Sequence, residues 1–387
     1  MGAAPTPPRQ PPSPKRLGLG LAALALLSAS LLALQVFSVD DDVFSELLPP
    51  SVEDAWEEVL QRASHTQVRT LSFSVCNGFA NQRLSLVFGL VIAKQLGRVV
   101  VLPQMLLNGM QTSDENREAS DTPSSTPFEE FYDLQALRAA LAPFHMRLLT
   151  HVQGAALPPS RSSANVTLAG SKPIESVVDH FALHQNRDHI SMDCPALYLA
   201  TGVVQAESKF IRAVLMGLRP SHTVEGYIRA AVERLGTFNF LHLRIERDWQ
   251  AHCKRWAALS AMDGVVRDNC FNHTIDVHRA MTAMGFDRHV PVYIGSQWEQ
   301  VRPRLVAESL SGMAAAGFTP IRSRSADSLP RELAALVDFE LAMRAERFLG
   351  NSVSSFSALV ILERHYRGLW AGYYNGGDIP LEQVSPA

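Results

Sequence analysis

The stretch LSFSVCNGFANQRLSLVFGLVIAKQLGRVVVLP, residues 71–103, decides the fold class. Leu71 to Val75 alternates between apolar and small polar side chains, which is typical of a short strand. The turn-like segment Asn77 to Asn81 follows, and Gln82 to Leu96 then places apolar side chains at helical spacing. Val99 to Leu102 is a fully apolar strand closed by a proline. Strand, loop, helix and strand in this order form the unit of a parallel α/β sheet.

The second half of the chain repeats this alternation without repeating the sequence. Strands are predicted at Phe238 to Leu243, Pro291 to Ile294 and Arg347 to Leu349. Helices are predicted at Phe128 to Leu141, Val204 to Met216, Val224 to Leu235, Leu329 to Met343 and Phe356 to Tyr366, with another beginning within Glu299 to Ala307. Thr112 to Pro127 and Leu157 to Ser171 are polar and predict irregular loops. We expect two α/β lobes, residues 66–237 and 238–387.

The charges of the chain are nearly balanced. The formal net charge is -3 and the sequence pI is about 6.5. A protein that binds nucleic acid usually carries a basic face or stripe, and this sequence has none. No nucleic-acid partner is therefore expected.

The N-terminus predicts a membrane anchor. Residues 1–16 form a Pro-rich tail that ends in a basic pair, and residues 17–39 are uncharged and long enough to span a bilayer. The basic pair before this span and the acidic triplet after it place the tail in the cytosol and the rest in the lumen of the Golgi or endoplasmic reticulum. Residues 40–65 would form a stem. A signal peptide cleaved near Ala29 is the alternative.

Two further features agree with the secretory pathway. Asn165 and Asn272 each begin an Asn-x-Thr glycosylation sequon. There are four cysteines, which in an oxidising lumen would form disulfides by one of three pairings. Cys253 with Cys270 is the favoured pair because both lie in one connecting segment, and buried free thiols are the alternative. The remaining cysteines are Cys76 and Cys194.

Three stretches at predicted strand ends carry residues suited to an anionic phosphate. They are Asn77 to Asn81, His242 to Arg244, and Gly350 to Ser355. In open α/β sheets ligands bind at the carboxyl ends of the strands. Small and glycine residues before a helix offer backbone amides, and an arginine offers a bidentate cation. Each residue also has a structural interpretation: Arg244 could pair with Glu246 or Asp248, and Ser354 or Ser355 could cap a helix.

Motifs for other chemistries are absent from the sequence. Neither a GxxxxGK[ST] phosphate loop nor an HExxH zinc motif occurs. The acidic run Asp40 to Asp42 contains an Asp-x-Asp pattern, but it abuts the predicted span and lacks a preceding strand. No metal site is therefore expected, and an arginine would have to neutralise a leaving phosphate.

The three stretches resemble the GDP-fucose protein O-fucosyltransferase superfamily. Residues 77–83 are similar to its Gly-x-x-Asn-Gln loop, residues 242–245 to its His-x-Arg segment, and residues 350–356 to its C-terminal nucleotide loop. The likeness covers most of Ser72 to Arg367. It implies two Rossmann-like domains that face a cleft, the GT-B type of glycosyltransferase, with a nucleotide sugar bound between them.

The resemblance also implies a reaction and its residues. L-Fucose would pass from GDP-fucose to a Ser or Thr hydroxyl of a secretory protein, with inversion and without a metal or another cofactor. Arg244 and Asn81 would be catalytic. The implied donor-binding residues are Gly78, Phe79, Ala80, His242, Asp248, Asp338, Asn351, Ser354, Ser355 and Phe356.

The acceptor and the donor sugar remain open at this level. Asn77 to Ala80 is closer to the plant members of the superfamily, whereas the arginine segment and the C-terminal loop are closer to the animal members. A related enzyme that uses another donor, such as UDP-rhamnose, on a glycan acceptor is one alternative. An inactive luminal binding module with the same fold is another.

Overall fold

A computed structural model of the protein describes residues 68–107, 124–156, 162–246, 274–324, 329–351 and 354–374. These residues form two five-stranded sheets and one small two-stranded sheet. All pairings within the two larger sheets are parallel. The chain thus has the α/β architecture that the alternation of strand and helix patterns predicts.

The first sheet has the strand order β5-β2-β1-β7-β6. Its strands are β1 Thr70–Phe73, β2 Val99–Val101, β5 Leu148–Leu149, β6 Ser163–Val166 and β7 His189–Met192, and the antiparallel pair is β3 Met105–Leu106 with β4 Ser125–Thr126. Its helices are α1 Phe79–Gln95, α2 Phe128–Phe131, α3 Leu134–Leu141, α4 His151–Ala155, α5 Val177–His180, α6 Thr201–Ala206, α7 Ser208–Gly217 and α8 His222–Leu235. The strand order reverses at β1, so the crevice between the ends of β1 and β7 is a switch point.

The second sheet has the strand order β10-β9-β8-β11-β12. Its strands are β8 Asn239–His242, β9 Val292–Gly295, β10 Pro320–Arg322, β11 Phe348–Gly350 and β12 Ala371–Tyr373. Its helices are α9 Thr274–Ala283, α10 Pro303–Ala315, α11 Arg331–Arg344 and α12 Ser355–Tyr366. The order reverses at β8, which places a second switch point between the ends of β8 and β11.

Helix α1 is buried on nearly all sides. It begins at Phe79, three residues before the predicted start at Gln82, because Gly78 serves as its N-cap. Gly89 lets the helix lie directly on β1, since a Cβ at this position would stand 2.5 Å from the ring of Phe73. Such all-round burial of an apolar helix is expected where it is covered by two layers.

Helix α1 packs against elements of both sheets, including α7, α11 and α12. The ring of Phe79 lies 5.5 Å from that of Phe339 and 6.4 Å from that of Phe356. Phe339 and Phe356 are themselves 5.6 Å apart at a near-perpendicular angle. Edge-to-face contacts at this spacing are favourable. The hydrophobic core therefore continues from the first sheet into the second.

Several predicted elements need correction. The helix expected over Phe128 to Leu141 is broken before Leu134, because the carboxylate of Asp133 caps α3 by accepting from the amides of Gln135 and Ala136. The helix expected over Val204 to Met216 is two helices, α6 and α7. The segment Leu157 to Ser171, expected to be irregular, contains the edge strand β6 with Asn165 exposed on it.

Other predictions fall outside the described residues. These are the tail, the membrane span and the stem, together with Asp248, Asn272, Cys253 and Cys270. Within the part of the chain that is described, none of the helices is long and apolar enough to cross a bilayer.

Candidate active site

The first turn of α1, which follows a strand of the first sheet, lies close to the first turn of α12, which follows a strand of the second. Phe79 is the first residue of α1 and Phe356 the second residue of α12, and their ring centroids are 6.4 Å apart. The N-cap residues Gly78 and Ser354 make no side-chain capping hydrogen bond. The amides of a helical first turn lack intrahelical acceptors. Two helix N-termini brought together in this way favour an anion.

The loop before α1 is pinned by a buried side chain. Gln82 donates to the carbonyl oxygens of Asn77 at 3.1 Å and Leu106 at 3.0 Å, and its Oε1 accepts from the amide of Leu106 at 2.9 Å. Asn77 has a positive φ of 60°, which asparagine tolerates better than most residues. Asn81, predicted to be catalytic, lies half-buried in the first turn of α1.

A disulfide joins the two strand ends of the first switch point. Cys76 follows β1, Cys194 follows β7, and their Cα atoms are 5.7 Å apart. The hydroxyl of Ser85 on α1 lies 3.1 Å from Cys194 Sγ. The disulfide thereby fixes the residue that comes two positions before the N-cap of α1. It is compatible with the favoured pair Cys253 and Cys270, which stays a prediction.

His242 ends β8 and contacts α12. Its Nδ1 lies 2.8 Å from the hydroxyl of Ser357, and its ring lies 4.4 Å from that of Phe356. The same hydroxyl accepts from the amide of Asn351 at 3.0 Å. Burial, reinforced by the positive charge of Arg244, lowers the pKa of His242 well below 6.5. At neutral pH His242 is therefore an uncharged residue that links the ends of β8 and β11.

A glycine makes this close approach possible. A Cβ on Gly350 would stand 2.7 Å from the Cβ of Ser357, closer than real side chains come. Gly350 ends β11, so its lack of a side chain lets α12 begin directly over the strand.

Arg244 is held through its side chain and its backbone. Its Nη1 lies 3.3 Å from Oε2 of Glu246, and its amide donates to the hydroxyl of Tyr374 at 3.3 Å. That hydroxyl also accepts from Nδ2 of Asn351 at 3.0 Å. Burial raises the pKa of the Tyr374 phenol to about 12, so it stays protonated. The structural interpretation of Arg244, an ion pair with Glu246, is therefore correct. The ion pair does not move Arg244 away from the end of β8, where the functional interpretation also needs it.

Asp338 lies on α11 and is hydrogen-bonded to residues of the second sheet. Its Oδ1 accepts from the hydroxyl of Tyr293 at 2.9 Å and its Oδ2 from the hydroxyl of Ser323 at 3.0 Å. Tyr293 belongs to β9, and Ser323 follows β10. These contacts place Asp338 beside the ends of β9 and β10, whereas its predicted role toward the loop at residues 350–355 stays a prediction.

A family model described as GDP-fucose protein O-fucosyltransferase matches residues 71–367. The chain belongs to this family. It is 24% identical over 182 residues to O-fucosyltransferase 23 of Arabidopsis thaliana, covering 44% of this chain. The matched region spans 40% of the length of that curated relative.

The fold is also shared with solved members of this enzyme class. The crystal structure of POFUT1 in complex with GDP-fucose matches with a TM-score of 0.57 and 15% identity, covering 80% of this chain and 98% of that one. POFUT1 in complex with GDP matches with the same TM-score and identity, covering 80% and 99%. Membership of the family that the three stretches resemble is therefore confirmed, as is an α/β fold with parallel sheets.

The O-fucosyltransferase fold brings most of the predicted donor-binding residues, together with Arg244, which was predicted to be catalytic, to one place. Those joined by described contacts are Phe79, His242, Arg244, Asn351 and Phe356, with Gly78, Ala80, Ser354 and Ser355 adjacent to them along the chain. Sequence reasoning assigned no role to Gln82, Ser357 or Tyr374, which hold these residues in position. Within the ranges that the structure describes, no group of three or more His, Cys, Asp or Glu side chains could hold a metal.

Proposed function

We propose that the protein transfers L-fucose from GDP-fucose to a Ser or Thr hydroxyl of a secretory-pathway protein, with inversion and without a metal. One observation carries this proposal: the N-termini of α1 and α12 converge beside the strand end that bears Arg244. POFUT1, whose fold the chain shares, has been crystallised with GDP-fucose. Family membership over residues 71–367 supports the same donor.

The diphosphate of the donor would bind at the two helix N-termini. The first-turn amides after Gly78 and Ser354 would donate to phosphate oxygens, and the helix dipoles would favour their negative charge. Arg244 would contact the phosphate oxygen bonded to the sugar. Phe79 and Phe356 would exclude water from one side of the site. Asp338, beside the ends of β9 and β10, would support the nucleoside part of the donor.

The proposed chemical step is a single displacement. The acceptor oxygen attacks the anomeric carbon on the face opposite the diphosphate, the bond to the phosphate oxygen breaks, and its electron pair leaves with GDP. The hydroxyl proton passes to solvent water as the new bond forms. Arg244 and the helix amides stabilise the charge that develops on the leaving oxygen, which is electrostatic catalysis by preorganised donors. Because these groups supply the positive charge, the step needs no divalent ion.

The proposed location is the lumen of the secretory pathway, with residues 17–39 as a signal anchor. The disulfide between Cys76 and Cys194 supports this, since stable disulfides form mainly in oxidising compartments. The exposed position of Asn165 on the edge strand β6 would suit a glycan.

The test is release of GDP from GDP-fucose by the full-length protein, with EDTA present and with UDP-rhamnose and UDP-glucose in parallel. We expect release from GDP-fucose alone, unaffected by EDTA and lost in Arg244→Ala. The control is Arg304→Ala, at an arginine that is 91% exposed. Turnover of UDP-rhamnose or UDP-glucose instead would show that the donor is a uridine nucleotide sugar and not GDP-fucose. Donor binding without turnover, even when candidate Ser/Thr acceptor peptides are supplied, would favour the binding module.

A further inference from the structure

Glu246 is a buried acid two residues beyond Arg244. Its side chain is 1% exposed, whereas that of Arg244 is 15% exposed. Neither the strand pattern nor the resemblance gives Glu246 a role in the reaction. A carboxylate is seldom buried so completely unless it is paired and hydrogen-bonded.

The two carboxylate oxygens of Glu246 face different groups. Oε1 accepts from the hydroxyl of Ser296 at 3.2 Å and from the amide of Gln297 at 3.1 Å. Oε2 faces Nη1 of Arg244 at 3.3 Å. Ser296 and Gln297 directly follow β9, so the carboxylate is fixed to the neighbouring strand and directed at the guanidinium.

The ion pair is looser than a purely structural one in the same protein. Arg83 and Glu363 form two hydrogen bonds at 2.8 and 3.0 Å, whereas Oε2 of Glu246 makes no aligned hydrogen bond among the described residues. A guanidinium carries five N–H donors in a fixed fork, so it can contact a carboxylate and a phosphate oxygen together. The geometry suits an arginine that is oriented by one anion and acts on another.

We propose that Glu246 is the positioning residue of Arg244 and acts on fucosyl transfer only through it. The inference rests on the proposed function. Glu246 limits the rotamers of the arginine before the donor arrives, so less side-chain conformational entropy is lost when the diphosphate binds. The backbone contact of Arg244 with Tyr374 fixes the other end of the residue.

The test compares Glu246→Gln, Arg244→Ala and the double variant in the full-length protein. Glutamine keeps the size of the side chain and can still accept from Ser296 and Gln297, but it removes the charge that faces Arg244. For Glu246→Gln we expect kcat/KM for GDP-fucose to fall about 10- to 100-fold, the range found when a residue that orients a metal ligand is replaced. In the Arg244→Ala background, where turnover is expected to be lost, the same change should have no further effect on the affinity for GDP.

A binding measurement separates positioning from general damage to the fold. Arg244 would contact the β-phosphate, so Glu246→Gln should weaken GDP binding and leave GMP binding unchanged. Loss of folding would weaken both. Ser296→Ala removes one donor to Glu246 without touching Arg244, so it should give a smaller loss of the same kind if Glu246→Gln proves unstable.

The matched control is Glu332→Gln. Glu332 is also 1% exposed and pairs with an arginine, Arg331, at 3.2 Å, but it lies at the start of α11. The substitution Glu332→Gln should leave kcat/KM for GDP-fucose unchanged. Wild-type kinetics in Glu246→Gln, or effects of Glu246→Gln and Arg244→Ala that add in the double variant, would overturn the inference. Full activity of Arg244→Ala would instead overturn the proposed function.

Discussion

Arg83 on α1 and Glu363 on α12 form a bidentate ion pair that is closed off from solvent. Their side chains are 1% and 0% exposed. Arg83 also donates to the carbonyl oxygens of Leu215 and Leu218, and its guanidinium lies 4.9 Å from the ring centroid of Phe339. The pair locks together the two helices whose N-termini form the candidate site.

We expect Glu363→Gln to lower the free energy of unfolding by about 3–5 kcal/mol, because the substitution leaves a buried guanidinium without its counter-charge. Urea unfolding at neutral pH measures the change. The exposed pair of Arg304 and Glu308 provides the control, since Glu308→Gln removes an ion pair that water already screens and should have no measurable effect. Equal effects of the two substitutions would show that the buried pair does not hold the helices together.

The disulfide should stabilise the loop that leads into α1. Replacing both Cys76 and Cys194 by serine is expected to cost about 2–5 kcal/mol, because the cross-link closes a long loop in the unfolded chain. Since Cys76 lies two residues before Gly78, the KM for GDP-fucose should also rise. Denaturant unfolding and donor kinetics measure the two effects. A reductant should lower the stability of the wild-type protein more than that of the double variant, because only the wild-type protein has this disulfide to lose.

Peptide mapping without reduction tests the remaining pair. With Cys76 bonded to Cys194, the only other intrachain pairing of the four cysteines joins Cys253 to Cys270. We expect a cross-linked peptide that contains both. Detection of either as a free thiol would contradict the pairing favoured from sequence.

His242 should make the protein less stable in mild acid. The folded state keeps the imidazole neutral well below 6.5, whereas the unfolded chain protonates it near that pH. The unfolded state therefore binds more protons below pH 6.5, and the free energy of unfolding falls by up to about 1.4 kcal/mol per pH unit. His242→Gln should remove this component of the slope between pH 6.5 and 5.

The comparison needs a control, because carboxylates and other histidines titrate in the same range. His222→Gln, which replaces an exposed histidine at the start of α8, is the comparison variant. If His242→Gln and His222→Gln have the same pH dependence, the imidazole is not held neutral.

Local sequence patterns predict those strands and helices whose burial can be recognised from a few consecutive residues. The unit from β1 to β2 and the strands β8 and β9 could be predicted, because β1 alternates, α1 has helical spacing, and β2, β8 and β9 lie in predominantly apolar runs. The strand β5 has only 2 residues, too few to show such a pattern. The position of β6 is set by pairing with β7, which no pattern within residues 163–166 reveals.

The candidate site also contains some residues that a local pattern can predict and others that it cannot. Arg244 and the loop at residues 350–355 could be predicted, because a strand followed by polar or small residues is a local signal. Tyr374 could not, since it is 130 residues from Arg244 along the chain. Cys76 and Cys194, which are 118 residues apart, are likewise joined by topology. Contacts of this kind join residues far apart in the sequence and leave no local spacing.

Tyr374→Phe should damage the site without changing its shape. The substitution removes the hydroxyl that accepts from the amide of Arg244 and from Nδ2 of Asn351, and we expect a cost of about 1–3 kcal/mol in stability together with a lower kcat. The adjacent Tyr373→Phe is the matched control, because the buried hydroxyl of Tyr373 has no hydrogen-bond partner among the described residues. That variant should be neutral or slightly more stable. Urea unfolding and GDP release from GDP-fucose distinguish the two, and equal behaviour of both variants would mean that Tyr374 does not connect the strand ends.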